Sequence, residues 1–168
     1  MNRTIVAPLT AGILLAVAGA AQAATRTTTF NVSATVADNC VISASDLAFG
    51  TFDGTANLQS TSTVTLRCSN GTDYTVDLSA GSSGNVAART MTSATSSVPL
   101  RYNLYTDAAP YTTVWANGQN GTGRASGFGS GMGTPITHTV YGFLALADNL
   151  GQIDAGSFND VITATITY

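Results

Sequence analysis

The nine residues Asp160–Tyr168 restrict the fold most. They alternate, with Ile162, Ala164, Ile166 and Tyr168 on one face and Val161, Thr163, Thr165 and Thr167 on the other. Period-two alternation rich in β-branched residues predicts a half-buried strand. A strand this apolar needs a neighbour, because an unpaired sheet edge invites aggregation. No turn or covering element follows it in the sequence. Which neighbour it takes is therefore the question on which function turns.

The same pattern recurs along the chain. Phe30, Val32, Ala34 and Val36 alternate with Asn31, Ser33 and Thr35, and Cys40-Val-Ile42 continues after the Asp38-Asn39 corner. Leu47–Phe52 reads as a short strand ended by Asp53-Gly54, a turn dipeptide. Ser62, Val64, Leu66 and Cys68 form one face of the next strand, and Asn70-Gly71 separates it from Tyr74, Val76 and Leu78, a hairpin signal. Further strands are predicted around Arg89–Met91, over Leu100–Tyr105 and over His138–Leu144. Residues 116–134 hold seven glycines and are expected to form a loop. No segment keeps a helical period. Short strands with turn signals at near-regular spacing predict an all-β antiparallel sandwich with one domain and no internal repeat.

The start of the chain is read separately. Arg3, the apolar run Ile5–Ala18 and the small-x-small pattern Ala21-Gln22-Ala23 predict a secretory signal at residues 1–23, cleaved before Ala24. Cleavage leaves 145 residues (168 − 23), enough for one cored domain. All nine acids are Asp and all six bases are Arg, so without Arg3 the balance is five Arg against nine Asp, or −4. Such a chain has no basic footprint for nucleic acid. Two cysteines, Cys40 and Cys68, are expected to form one disulfide in an exported protein.

Catalytic and metal constellations are not apparent. A hydrolytic nucleophile needs a base in reach, and the one histidine, His138, sits mid-strand with no nucleophile elbow elsewhere. It reads as a structural or surface residue. Two thiols and one imidazole leave a metal site short of ligands. Asp53, Asp73, Asp77, Asp107 and Asp148 lie near turn signals, where Asp serves local hydrogen bonding. Trp115, Tyr102 and Tyr105 could form a sugar platform, but core packing is the better reading. No enzyme activity, cofactor or metal is expected.

Several motifs in one order resemble the spore coat protein U-type domain family. They are Leu47-Ala-Phe-Gly-Thr-Phe-Asp53, Leu66-Arg-Cys-Ser-Asn-Gly-Thr72, Tyr74–Gly81, Ala88–Met91, Leu100–Asp107 with Thr113-Val-Trp115, and Val140-Tyr-Gly142 with Ala155–Asp160. That family includes the pilin subunits of archaic chaperone–usher pili. The resemblance implies an incomplete immunoglobulin-like sandwich that lacks its last strand and is completed by donor-strand complementation. Residues 40–168 would be that domain. Ile162, Ala164, Ile166 and Tyr168 would line an acceptor groove, and Phe30, Val32, Ala34 and Val36 of another copy would fill it. Burying one Phe and two Val would contribute roughly 5–8 kcal/mol before association costs. The sixteen residues Ala24–Asn39 have room for one strand, either this donor or the domain's own first strand. The implied partners are other pilin subunits in a homo-polymer, a periplasmic chaperone and an outer-membrane usher, with export through the periplasm to a surface fibre for adhesion and biofilm formation. The alternatives are a non-polymerising secreted coat protein or a tip adhesin.

Overall fold

The computed structural model describes residues 22–168 apart from Gln152. The predicted signal therefore lies, as far as residue 21, outside the described residues. The chain divides into two units, the first ending at Thr35 and the second running from Val36 to Tyr168. The described part of the first, residues 22–35, has neither helix nor strand, and every one of its side chains is exposed.

The second unit is an antiparallel β-sandwich of eight strands. In chain order they are β1 (Cys40–Ala44), β2 (Leu58–Cys68), β3 (Asp73–Leu78), β4 (Arg89–Met91), β5 (Leu100–Tyr105), β6 (Ala125–Phe128), β7 (Ile136–Leu144) and β8 (Ala164–Thr167). Two short 3-10 turns, Gly81–Ser83 and Leu146–Asn149, are its only helical features among the described residues. One sheet has the order β1-β2-β7-β5-β4 and the other the order β6-β3-β8. This is the incomplete immunoglobulin-like, all-β arrangement expected from the sequence.

The alternation in the sequence dictates which face each strand buries. On β2, Val64, Leu66 and Cys68 are fully buried while Arg67 faces out. On β3, Tyr74, Val76 and Leu78 face them from the other sheet. The longest ladder joins β2 to β7 from Leu58↔Leu144 to Leu66↔Ile136. Trp115 completes the core at 1% exposure, and its Nε1 donates to the Val76 carbonyl at 2.9 Å. The platform reading of Trp115 and Tyr102 therefore gives way to packing, since both are buried. Cys40 and Cys68 are paired in register and joined by the expected disulfide, which ties the start of β1 to the end of β2.

Three expectations about local structure change. Leu47–Phe52 joins no sheet, although Leu47, Phe49 and Phe52 still pack against the core. Gly142 on β7 makes this possible: a Cβ there would lie 2.9 Å from Leu47 and 3.0 Å from Phe49, so its missing side chain is where theirs cross the sandwich. Phe30–Val36 is not in a strand. Conversely, the glycine-rich stretch contains β6, which pairs with β3 from Asp73↔Phe128 to Val76↔Ala125. Its glycines are needed for close approach: a Cβ on Gly127 would lie 2.8 Å from the Tyr74 hydroxyl.

Candidate functional site

Each sheet has two edge strands, β1 and β4 in the five-stranded sheet and β6 and β8 in the three-stranded sheet, and the edges β1 and β8 lie beside one another. A groove runs between them. One part, about 330 Å³, has Ala44, Leu47 and Phe49 on one wall and Phe158, Ile162 and Ala164 on the other, over a floor that includes Val64, Tyr102 and Val140. A second part, about 800 Å³, continues between residues 47–54 and 151–158 over Leu100 and Leu144. The two share Leu47, Phe49, Met91 and Phe158, so they run into one another.

The register shows what the walls offer. Ser79 N donates to Thr163 O at 2.9 Å, and β3 and β8 pair antiparallel with Asp77↔Thr165 and Thr75↔Thr167. In such a ladder backbone groups alternate between the two sides of a strand. Thr163, Thr165 and Thr167 therefore spend theirs on β3, and Ile162, Ala164 and Ile166 aim N–H and C=O at the open side. On β1, Ser45 N donates to Thr63 O at 3.0 Å and Ser69 N to Asn39 O at 2.8 Å. By the same alternation Ile42 and Ala44 present their backbone groups at the opposite lip. An extended segment laid between the lips would find hydrogen-bonding partners on both sides and apolar floor beneath.

Of the residues singled out in the last strand, Ile162 and Ala164 line the groove. Ile166 packs half-buried on the core just beyond it, while Tyr168 is 55% exposed and lines neither part. At the other end of the chain, Phe30, Val32 and Val36 are 83%, 86% and 88% exposed, and Ala34 is exposed as well. The wall formed by Leu47 and Phe49 was hidden in the sequence, where they read as a paired strand.

A polar corner closes the groove where β8 begins. Asp160 accepts hydrogen bonds from the Tyr102 hydroxyl at 2.7 Å and from the amides of Ser82 and Val161 at 2.8 Å each, and also from the Ser82 hydroxyl. Burial opposes its ionisation, but these bonds outweigh it and hold the carboxyl below its ordinary pKa. Burial, then the bond to Asp160, pushes the Tyr102 hydroxyl far above its usual range. Behind Tyr102 lies Arg89, fully buried, donating to Ser79 O, Trp115 O and Asn103 Oδ1 at 2.7–2.9 Å. Burial lowers its pKa, and the negative charge of Asp160 resists that shift. No sequence pattern marks Arg89 as a core cation, since it sits alone in a Ser/Gly/Ala-rich connection.

His138 faces inward from β7, with Nε2 2.9 Å from the Tyr74 hydroxyl and its ring edge-on to Trp115. Burial lowers its pKa. Among the described residues no group of three or more His, Cys, Asp or Glu is placed to hold a metal, and no helix is long and apolar enough to cross a membrane.

The family model described as Spore Coat Protein U domain matches residues 26–165. Protein U of Myxococcus xanthus is 32% identical over 183 residues, spanning 99% of this chain and 98% of that one. Among solved structures, the fold is similar to a chain of the CsuC–CsuE chaperone–tip adhesion subunit pre-assembly complex from the archaic chaperone-usher Csu pili of Acinetobacter baumannii. The TM-score is 0.57 at 25% identity, and the match covers 80% of this chain but 41% of that one.

Proposed function

Because this chain belongs to the Spore Coat Protein U domain family, we propose that it is a structural subunit of the chaperone–usher pilus type, polymerised by donor-strand exchange. One observation carries the reading: a single chain combines an open groove between two unpartnered strand edges with an exposed, period-two apolar segment. In this reading Phe30, Val32, Ala34 and Val36 of one copy enter the groove of the next, beside Ile162, Ala164 and Ile166. Phe30 and Val36 are six residues apart, roughly 20 Å in an extended strand. The contact is head-to-tail, and heterologous contacts that do not close into a ring build fibres.

The partners in this reading are those that the family and an open groove would require. A periplasmic chaperone would cover it before assembly and an outer-membrane usher would pass the subunit to the cell surface, after removal of residues 1–23. Adhesion and biofilm formation would be properties of the fibre. The similar chain comes from a complex of a chaperone with a tip adhesion subunit, which supports the chaperone partnership and keeps the tip role as the second reading.

Deleting residues 24–36 tests the assignment. Fibres seen by negative-stain microscopy, and the ladder of multimers in unheated detergent gels, should disappear while the monomer stays folded. Fibres that persist would show that the donor lies elsewhere. A full-length chain that stays monomeric and never forms multimers, at any concentration, would favour a self-contained coat protein.

A further inference from the structure

The strand β8 is only four residues long and is paired on one side alone, by β3. Its lead-in, residues 158–163, forms the groove wall at Phe158 and Ile162 without belonging to a strand. Few bonds hold it. Asn159 and Thr92 exchange backbone hydrogen bonds at 2.9 and 3.0 Å, and Thr163 is joined to Ser79 at its far end, its N donating to Ser79 Oγ and its carbonyl accepting from Ser79 N, both at 2.9 Å. Between them, Asp160 takes four donors from three parts of the chain. The Tyr102 bond differs from the others in kind. Tyr102 belongs to β5 in the five-stranded sheet, on the groove floor, whereas the lead-in continues into β8 of the opposite sheet. A 2.7 Å bond thus ties floor to wall across the slot.

The surroundings favour a charged anchor at that point. Gly81 has φ +63°, and any Cβ there would collide with the Asp160 carboxylate, so the loop leaves room for this group. Arg89 sits buried behind Tyr102 with neutral hydrogen-bonding partners only, and Asp160 is the one carboxylate whose charge acts on it. Hydrogen bonds to a carboxylate are about twice as strong as neutral ones.

We propose that Asp160, through Tyr102 and Ser82, is the latch that keeps the acceptor wall in place while the groove is empty, and so is a positioning residue for strand uptake. This rests on the acceptor-groove reading above. An unsupported edge strand frays or closes over an apolar slot, and the incoming segment would then have to order the wall as it binds. The latch removes that cost beforehand. Once a neighbour's segment pairs along the open side, the wall is held from both sides and the latch becomes redundant.

The test compares hydrogen exchange in β8 for the full chain before and after polymerisation. Tyr102→Phe removes one hydroxyl from the floor, and Asp160→Ala removes the whole anchor. In the monomer, the amides of Thr165 and Thr167 should exchange about 10- to 100-fold faster in Tyr102→Phe than in the wild type, as expected for losing a hydrogen bond to a charged group. Asp160→Ala should be at least as fast, and Asp160→Asn, which still accepts from the Ser82 amide, should recover part of the protection. In the polymer all four proteins should exchange alike. Unchanged β8 exchange in the Tyr102→Phe monomer would overturn the proposal. So would an equal acceleration across β2 and β7, the mark of general destabilisation, or an Asp160→Asn variant as unprotected as Asp160→Ala. A wild type that never polymerises would instead count against the donor reading and would leave the monomer comparison standing.

Discussion

Phe30–Val36 and Ile162–Tyr168 carry the same message in sequence and meet opposite fates. Both alternate apolar and small polar residues, both are rich in β-branched residues, and both lie near an end of the chain. In the second, Ile162, Ala164 and Ile166 are half-buried and the threonines between them pair with β3. In the first, Phe30 and Val32 stand more than four-fifths exposed. The difference teaches that period-two alternation states only that one face is fit for burial. It leaves open whether the partner belongs to the same chain.

The sharpest way to break this comparison is to place a charge in each stretch. Phe30→Asp should abolish multimers while changing the monomer's unfolding free energy, read by urea denaturation, by no more than a surface substitution does, about 0.5 kcal/mol. Ile166→Asp should unfold the monomer outright. If Phe30→Asp also destabilises the monomer by several kcal/mol, the N-terminal segment is packed on its own domain and the contrast collapses.

Smaller effects sharpen the picture of what holds the domain apart from its groove. Arg89→Met leaves the carbonyls of Ser79 and Trp115 without their donor and should cost roughly 3–5 kcal/mol, as removing one side of a buried charged network does; chemical denaturation would read it. Replacing Cys40 and Cys68 together by Ser should cost about 3 kcal/mol through the unfolded chain, measured the same way. A loss well under 1 kcal/mol would mean that the β1–β2 pairing alone fixes that end.

The smallest expected effect is a pH dependence. The folded chain holds His138 with its pKa below the unfolded value of about 6.5. The unfolded chain therefore takes up a proton first, so the contribution of the neutral ring is complete above that pH and declines as pH falls through it. His138→Gln should flatten this slope between pH 7 and 5 in thermal melts. An unchanged slope would remove the imidazole from the account.

Much of the sandwich was legible because a strand with one buried face writes its alternation into the sequence. Leu100–Tyr105 is a strand over the range expected, and β3 and β7 each begin within two residues of the expected start. The disulfide was legible from compartment and number. What could not be read was pairing. Leu47–Phe52 alternates like a strand because Leu47 and Phe49 reach into the core, yet nothing in that pattern reports whether a backbone ladder accompanies the side chains. β6 was masked by glycines that suggest a loop, when two of them serve close approach: Gly127 beneath Tyr74 and Gly129 against Ser69. The polar corner was opaque for a related reason. Arg89, Tyr102 and Asp160 stand far apart in sequence, and only the crossing of β5 over the lead-in to β8 brings Tyr102 and Asp160 into contact.

The Cys40–Cys68 bond has a mechanical consequence. Tension applied to the chain ahead of Cys40 passes at once, through a covalent bond, to the end of β2. The β1–β2 ladder is thus bypassed, and β1 cannot be peeled away from its N-terminal end. The load arrives instead at the end of β2, a strand held to β7 by nine registered pairs. A pull on the N-terminal segment therefore bypasses the five-residue β1 and reaches the strand that carries the longest ladder among the described residues.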